Sequence, residues 1–124
     1  MQIDPGRFTG GIAILSWNVN GLGNKLKRWV VTQYFYRHNP DIVLLQETHL
    51  VGNRCGFLGR GRYKVLAHYG LTSGSRGVGI LTWTSLYLKV TKTWTDLGGL
   101  YTAVMGEWQE EKITVASWYL PPGL

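Results

Sequence analysis

Two short apolar runs, and the segment between them, limit the fold of this chain more than any other feature. Residues 12–17 (IAILSW) are apolar at alternating positions on both sides apart from Ser16, and residues 41–46 (DIVLLQ) form a second such run. A strand with one wet face alternates apolar and polar positions, so a run without that alternation reads as a strand covered on both sides. Between the runs, Lys25–His38 reads as a helix. Leu26, Val30, Val31, Tyr34 and Phe35 make a broad apolar side, with Lys25, Arg28, Thr32 and Tyr36 opposite and Trp29 fitting neither. Asn39-Pro40 ends the helix, because proline disfavours helical backbone in the residue before it. Strand, helix and strand within about 35 residues make a βαβ unit with parallel strands and a right-handed connection.

Both runs stop at polar groups. Asn18 lies one residue past the first and Glu47 just past the second. Parallel strands put the two at the same carboxyl edge, where open α/β sheets bind ligands. Neighbouring strands lie ~4.8 Å apart, so the side chains come within one or two strand spacings.

Beyond Glu47 the stretch VGNRCGFLGRG is a glycine-rich loop and residues 62–69 form a strand. Residues 77–84, 86–94, 100–108 and 112–120 follow at the spacing of an antiparallel meander, roughly 8–12 residues. In the last, Ile113, Val115, Ser117 and Tyr119 alternate with Thr114, Ala116, Trp118 and Leu120, so both faces are largely apolar. An uncovered antiparallel sheet keeps one wet face. This sheet is therefore expected to need a partner layer that the chain does not supply.

The length, 124 residues, fits one domain, read as 12–124 behind a leader at 1–11. Thirteen Lys and Arg against seven Asp and Glu leave a formal charge of +6, which favours a polyanionic partner, most simply nucleic acid. Cys55 is the only cysteine. An intrachain disulfide is therefore impossible, which suits a reducing compartment and an intracellular location, the nucleus included. The N-terminus MQIDPGRFTG lacks the apolar core of a secretory signal. No stretch approaches the roughly 18 apolar residues of a membrane span, so no membrane partner is expected.

SWNVNGL, PDIVLLQETHL, GVGIL and YLPP occur in that order. Together they resemble the endonuclease/exonuclease/phosphatase superfamily, and most of all the apurinic-type endonuclease domain of non-LTR retrotransposons. The resemblance runs from about Ile12 to Pro122. It implies an α/β fold: a partial four-layer α/β/β/α sandwich, deoxyribonuclease-I-like, here its N-terminal half with one mixed β-sheet. It also implies hydrolysis of DNA phosphodiesters with Mg²⁺ or Mn²⁺ and no other small-molecule cofactor. The family's Gly-Asp-x-Asn segment, a further aspartate and the Ser-Asp-His ending belong to a C-terminal half this chain does not match. Alone, the chain is expected to be inactive and poorly soluble.

By the resemblance Glu47 is the metal-binding glutamate, and Asn18 sits by metal and scissile phosphate. A carboxylate with an ordinary pKa of ~4.3 is a hard oxygen ligand at neutral pH. An amide can donate to phosphate without adding negative charge. Asn20 stands where repair members carry aspartate. Tyr119 matches the family's phosphate-contacting tyrosine, although Pro122 replaces the asparagine that follows it there. Lys25, Lys27, Arg28 and Arg76, with Asn20, are candidate contacts to nucleic-acid phosphates. His38, His49 and His68 are scattered, and none has a carboxylate placed to make it a catalytic base. Two other readings stay open: a basic module that binds nucleic acid without catalysis, and a lipid or inositol phosphate phosphatase of the same superfamily. The charge and the spellings NVNGL and QETHL weigh against the phosphatase.

Overall fold

The structure, a computed structural model, describes residues 11–122 apart from Arg54 and Arg60. The expected leader lies outside the described residues except for Gly11. The first three elements are β1 (Ile14–Asn18), α1 (Lys25–His38) and β2 (Ile42–Gln46). Asn24 caps α1: its Oδ1 accepts from the amides of Leu26 at 2.8 Å and Lys27 at 3.3 Å. These are two of the N–H groups that a helix start leaves without partners. At the other end Asn39 turns left-handed, with φ 51°, and its amide closes on the Phe35 carbonyl at 2.8 Å. β1 and β2 pair in parallel, Ile14 opposite Ile42 and Asn18 opposite Gln46, as the βαβ pattern requires.

A single 3-10 turn (Gly56–Gly59) leads to β3 (Tyr63–Tyr69), β4 (Val78–Trp83), β5 (Lys89–Thr95), β6 (Tyr101–Trp108) and β7 (Glu111–Trp118). They form two sheets: a mixed one in the order β1-β2-β4-β3 and an antiparallel one in the order β5-β6-β7. Two expectations need correction. β4 does not open the meander; it inserts between β2 and β3, antiparallel to both. Its first five residues are buried, a demand that a central position in a covered sheet meets and an edge cannot. Second, the antiparallel sheet does have a partner layer, which is the mixed sheet itself. Ile42 and Ile80 pack with Leu86, Leu88 and Val104, joined by Ile113 and Val115. The Ser117 hydroxyl donates to the Leu45 carbonyl at 2.6 Å, while Gln46 Nε2 donates to Ser117 Oγ at 3.0 Å. The open apolar face that motivated the expectation of poor solubility is thus covered on its inner side.

On the opposite face of the mixed sheet, Val31 and Phe35 of α1 pack with Leu15, Val43, Leu45 and Leu81. The order of layers is helix, mixed sheet, antiparallel sheet, which is the α/β/β part of the four-layer sandwich. α1 buries a narrower stripe than its periodicity predicts. Leu26, Trp29 and Val30 stay 69%, 61% and 48% exposed, while Arg28 and Tyr36, expected in water, are half-buried. The cause lies outside the helix: Phe57 meets Arg28 and Tyr63 stacks with Tyr36 on that flank. No helix among the described residues is long and apolar enough to cross a membrane.

Candidate active site

The site forms where β1 and β2 end together. Past the last paired residues the backbone turns left-handed at Asn20 (φ 51°), Glu47 (φ 53°) and His49 (φ 58°), and in the facing loop at Arg76 (φ 60°). Such conformations are uncommon outside glycine and persist where neighbouring structure over-determines them. Here backbone hydrogen bonds do so. The amides of Gly21 and Leu22 donate to the carbonyls of Glu47 and Thr48 at 2.6 and 2.8 Å, and those of Thr48 and His49 donate to the carbonyls of Gly77 and Arg76 at 3.1 and 2.7 Å. Residues 47–49 are stitched between the loop after β1 and the loop before β4.

Asn18 Nδ2 donates to Glu47 Oε2 at 2.5 Å, and Asn18 Oδ1 accepts the Asn20 amide at 3.1 Å. A backbone N–H can only donate, so Oδ1 must face it, and the amide nitrogen is then left for the carboxylate. Both ends of the Asn18 amide are engaged by the protein, and as placed it serves to orient Glu47. His49 Nε2 lies 3.9 Å from Glu47 Oε1. Tyr119, just past β7, is tied by its amide to the Leu100 carbonyl at 2.7 Å and brings its phenol to the Glu47 carboxylate. Its pKa is raised, first by desolvation and then by the charge and hydrogen bond of Glu47, with Arg76 acting the other way. Tyr119 therefore stays a neutral donor at ordinary pH. Arg76 Nη1 donates to the Gly98 carbonyl at 2.6 Å.

Beneath Glu47 lies a network that the sequence did not announce. His68 is buried, with Nδ1 2.7 Å from the Gly52 carbonyl and Nε2 2.7 Å from Thr48 Oγ1. A carbonyl only accepts, so Nδ1 carries the proton and Nε2 accepts from the Thr48 hydroxyl. Burial lowers the His68 pKa and the bond to Gly52 partly opposes this. At Gly77, φ +105°, a Cβ would overlap Thr48 Oγ1. The glycine of GVGIL was the one local sign of this close approach.

The structure therefore brings Asn18, Glu47, Tyr119 and Arg76 together. Lys27 Nζ donates to the Asn20 carbonyl at 2.9 Å and Arg28 Nε to the Leu22 carbonyl at 2.5 Å, so both join through the loop after β1. Lys25 begins α1, exposed and further out. Cys55 is buried, which pushes its thiol pKa up and leaves it a poor nucleophile. Glu47 offers a carboxylate that is 23% exposed. Mg²⁺ is commonly held by one or two carboxylates together with waters and substrate phosphates. No group of three or more His, Cys, Asp or Glu placed to hold a metal occurs among the described residues. The donor set fits that open kind of site rather than an all-protein cage.

Residues 15–123 match the model of the Endonuclease/Exonuclease/phosphatase family. The fold is similar to AP endonuclease LMAP from Leishmania major, with TM-score 0.67, 19% identity, and 87% of this chain and 40% of that one covered. It is similar to the endonuclease domain of TRAS1, a telomere-specific non-LTR retrotransposon (TM-score 0.61, 15% identity, 92% and 47% covered). It is also similar to D. rerio TDP2 complexed with single strand DNA product (TM-score 0.58, 19% identity, 85% and 44% covered). The chain spans less than half the length of each of these structures.

Proposed function

The chain belongs to the endonuclease/exonuclease/phosphatase family, and we propose that its site handles a phosphodiester of DNA, with Glu47 holding Mg²⁺ or Mn²⁺. One arrangement supports this above all: Asn18, Glu47 and Tyr119 converge at the carboxyl edge of two parallel strands, beside Arg76. The +6 charge supports a DNA partner. So do the similar structures, which are an AP endonuclease, a retrotransposon endonuclease domain and a TDP2 with a DNA product. The spellings NVNGL and ETHL favour the retrotransposon type, and the single cysteine suits an intracellular, including nuclear, setting.

A bound divalent metal supplies a Lewis acid that offsets charge on the phosphate and the leaving oxygen. The chain's own residues prepare that place. Asn18 fixes the rotamer of Glu47 and acts on a metal through it. Tyr119, whose one O–H points to Glu47 as placed, helps to orient that carboxylate and can turn its proton to a phosphate oxygen that gains charge. Arg76 adds a positive charge on the same side. Asn20, Lys25, Lys27 and Arg28 serve flanking phosphates, each real contact of a cation adding about 0.9 to the salt slope on duplex DNA.

Hydrolysis also needs a base within hydrogen-bond reach of the attacking water. The span of less than half of each similar structure favours a second reading for the 124-residue chain by itself: binding without turnover. The test has two arms. Electron paramagnetic resonance titration should show Mn²⁺ binding that tightens with a phosphorothioate DNA duplex, and Glu47→Gln should lose both. Unchanged Mn²⁺ binding in Glu47→Gln sinks the metal role. In plasmid nicking, the chain should show no Mg²⁺-dependent activity above Glu47→Ala; strong nicking lost in Glu47→Ala would overturn binding without turnover.

A further inference from the structure

We propose that the flank of α1 beside the site is a stacking track for unpaired nucleic acid, which gives the phosphodiester reading, on which this rests, a preferred substrate form. The helix carries Lys25, Lys27, Arg28 and Arg37 and not one acidic residue in its 14 positions. A helix surface made only to be solvated mixes both signs of charge. This one also turns Leu26, Trp29 and Val30 to water. A contiguous exposed apolar patch set among cations marks a surface that meets a partner, and the charge selects a polyanion.

The shape narrows the polyanion further. Between α1 and the 3-10 turn lies a cleft of about 470 Å³ with Trp29, Tyr36, Phe57 and Tyr63 in its wall and Lys25 and Arg28 on its rim. A smaller cleft of about 240 Å³, bordered by Val30, Gln33 and Arg37, also has Trp29 in its lining. Trp29 lines both and stands as a ridge between them. Phe57 and Tyr36 already carry the guanidinium groups of Arg28, at 4.1 Å, and Arg62, at 4.7 Å, and Tyr63 is buried, so Trp29 is the ring of this cleft that offers an exposed face to a base. Aromatic faces interleaved with cations are what single-stranded nucleic acid binds, because every base has a face to stack and every linkage a charge. A duplex keeps its base faces inside the helix and offers such a surface only its phosphates. Trp29 stands between two clefts that a base can enter, beside a site read as one for DNA, and this favours nucleic acid over a lipid surface.

The track is continuous with the site. Lys27 and Arg28 donate to the carbonyls of Asn20 and Leu22. The amides of Gly21 and Leu22, in the same loop, hold Glu47 and Thr48. The helix that supplies these two cations also carries Trp29.

Fluorescence anisotropy with a labelled oligo-dT strand and a blunt duplex of equal length tests this on the full chain, without metal. Trp29→Ala should weaken binding of the single strand roughly 5- to 100-fold and leave duplex binding and the melting temperature unchanged. Trp29→Tyr should restore most of the affinity. Lys25→Ala should lower the salt slope on the single strand by about 0.7. Equal loss on strand and duplex, or no loss on the strand, overturns the track. Trp29-dependent binding to phosphatidylserine vesicles that exceeds binding to the oligonucleotide overturns it in favour of a membrane surface. Glu47→Gln separates the two ideas. If Trp29-dependent strand binding persists while no Mn²⁺ site is found even in the unmutated chain, the phosphodiester reading fails and the track stands. If Glu47 holds Mn²⁺ and Trp29→Ala changes nothing, the track alone fails.

Discussion

β2 and β4 of the mixed sheet are buried along nearly their whole length, while β5 is exposed at all but one position and β7 is fully buried only at Ser117. The mixed sheet lies between α1 and the antiparallel sheet; the antiparallel sheet is covered on one side only, and its outer side carries Trp118 stacked on Tyr101 at 4.7 Å. The contrast teaches where a precise site can stand. The buried β2 ends at a fixed point, so Glu47 just past it inherits that rigidity, and Asn18, the last residue of β1, is held by pairing opposite Gln46 and by its bond to Glu47. Tyr119 comes from the looser sheet. It is brought into register two residues earlier, where Ser117 bonds Gln46 and Leu45 across the layers.

The sharpest way to break this contrast is to truncate one residue in each sheet. Ile80→Ala, inside the doubly covered sheet, should cost about 4 kcal/mol in urea unfolding, a large part of the roughly 5–15 kcal/mol of a domain. Should Trp118→Ala on the outer face cost as much, the two sheets are not differently clamped.

Next in size is the rigidity at the strand ends. Gly77→Ala places a methyl against Thr48 Oγ1 in left-handed backbone and should cost about 3 kcal/mol, with a weaker Mn²⁺ site. Gly52→Ala, also left-handed but with open space around it, should cost only about 1 kcal/mol. Equal costs would show that packing against Thr48 does not hold the segment.

A smaller effect comes from His68, which fastens that same segment from below. Its pKa is lowered in the folded chain, so below about pH 6.5 the unfolded chain binds a proton that the folded chain refuses. Stability is full above that pH and falls as pH drops toward the folded value. The melting temperature should decline on acidification, and His68→Gln should flatten that part of the curve. A decline of the same slope in His68→Gln removes His68 as the cause.

The smallest effect belongs to the open face. Trp118, 57% exposed, gains from its stack with Tyr101 about 1 kcal/mol, so Trp118→Ala should shift the urea midpoint slightly. No shift at all would mean that the pair adds nothing.

The sequence by itself determined the βαβ unit, the bounds of α1, the parallel pairing of β1 with β2, and hence the meeting of Asn18 with Glu47. These follow from local periodicity, from a break such as Asn39-Pro40, and from a short connection that leaves the chain one way to return. A family motif added Tyr119 as a candidate and its charge in a loop added Arg76, but neither told of their approach to Glu47. Only the tertiary structure decided the rest. β4 leaves the meander because its two apolar faces both need cover, and which strand takes a central place depends on partners far away in the chain. Leu26, Trp29 and Val30 stay in water because Phe57 and Tyr63 arrive on another flank of α1, and periodicity marks an apolar side without saying what will pack against it. The bonds of His68 to Thr48 and of Ser117 to Gln46 span 20 and 71 residues. A contact across such separations leaves no pattern in either neighbourhood, because it is made by the folding of the two sheets against each other.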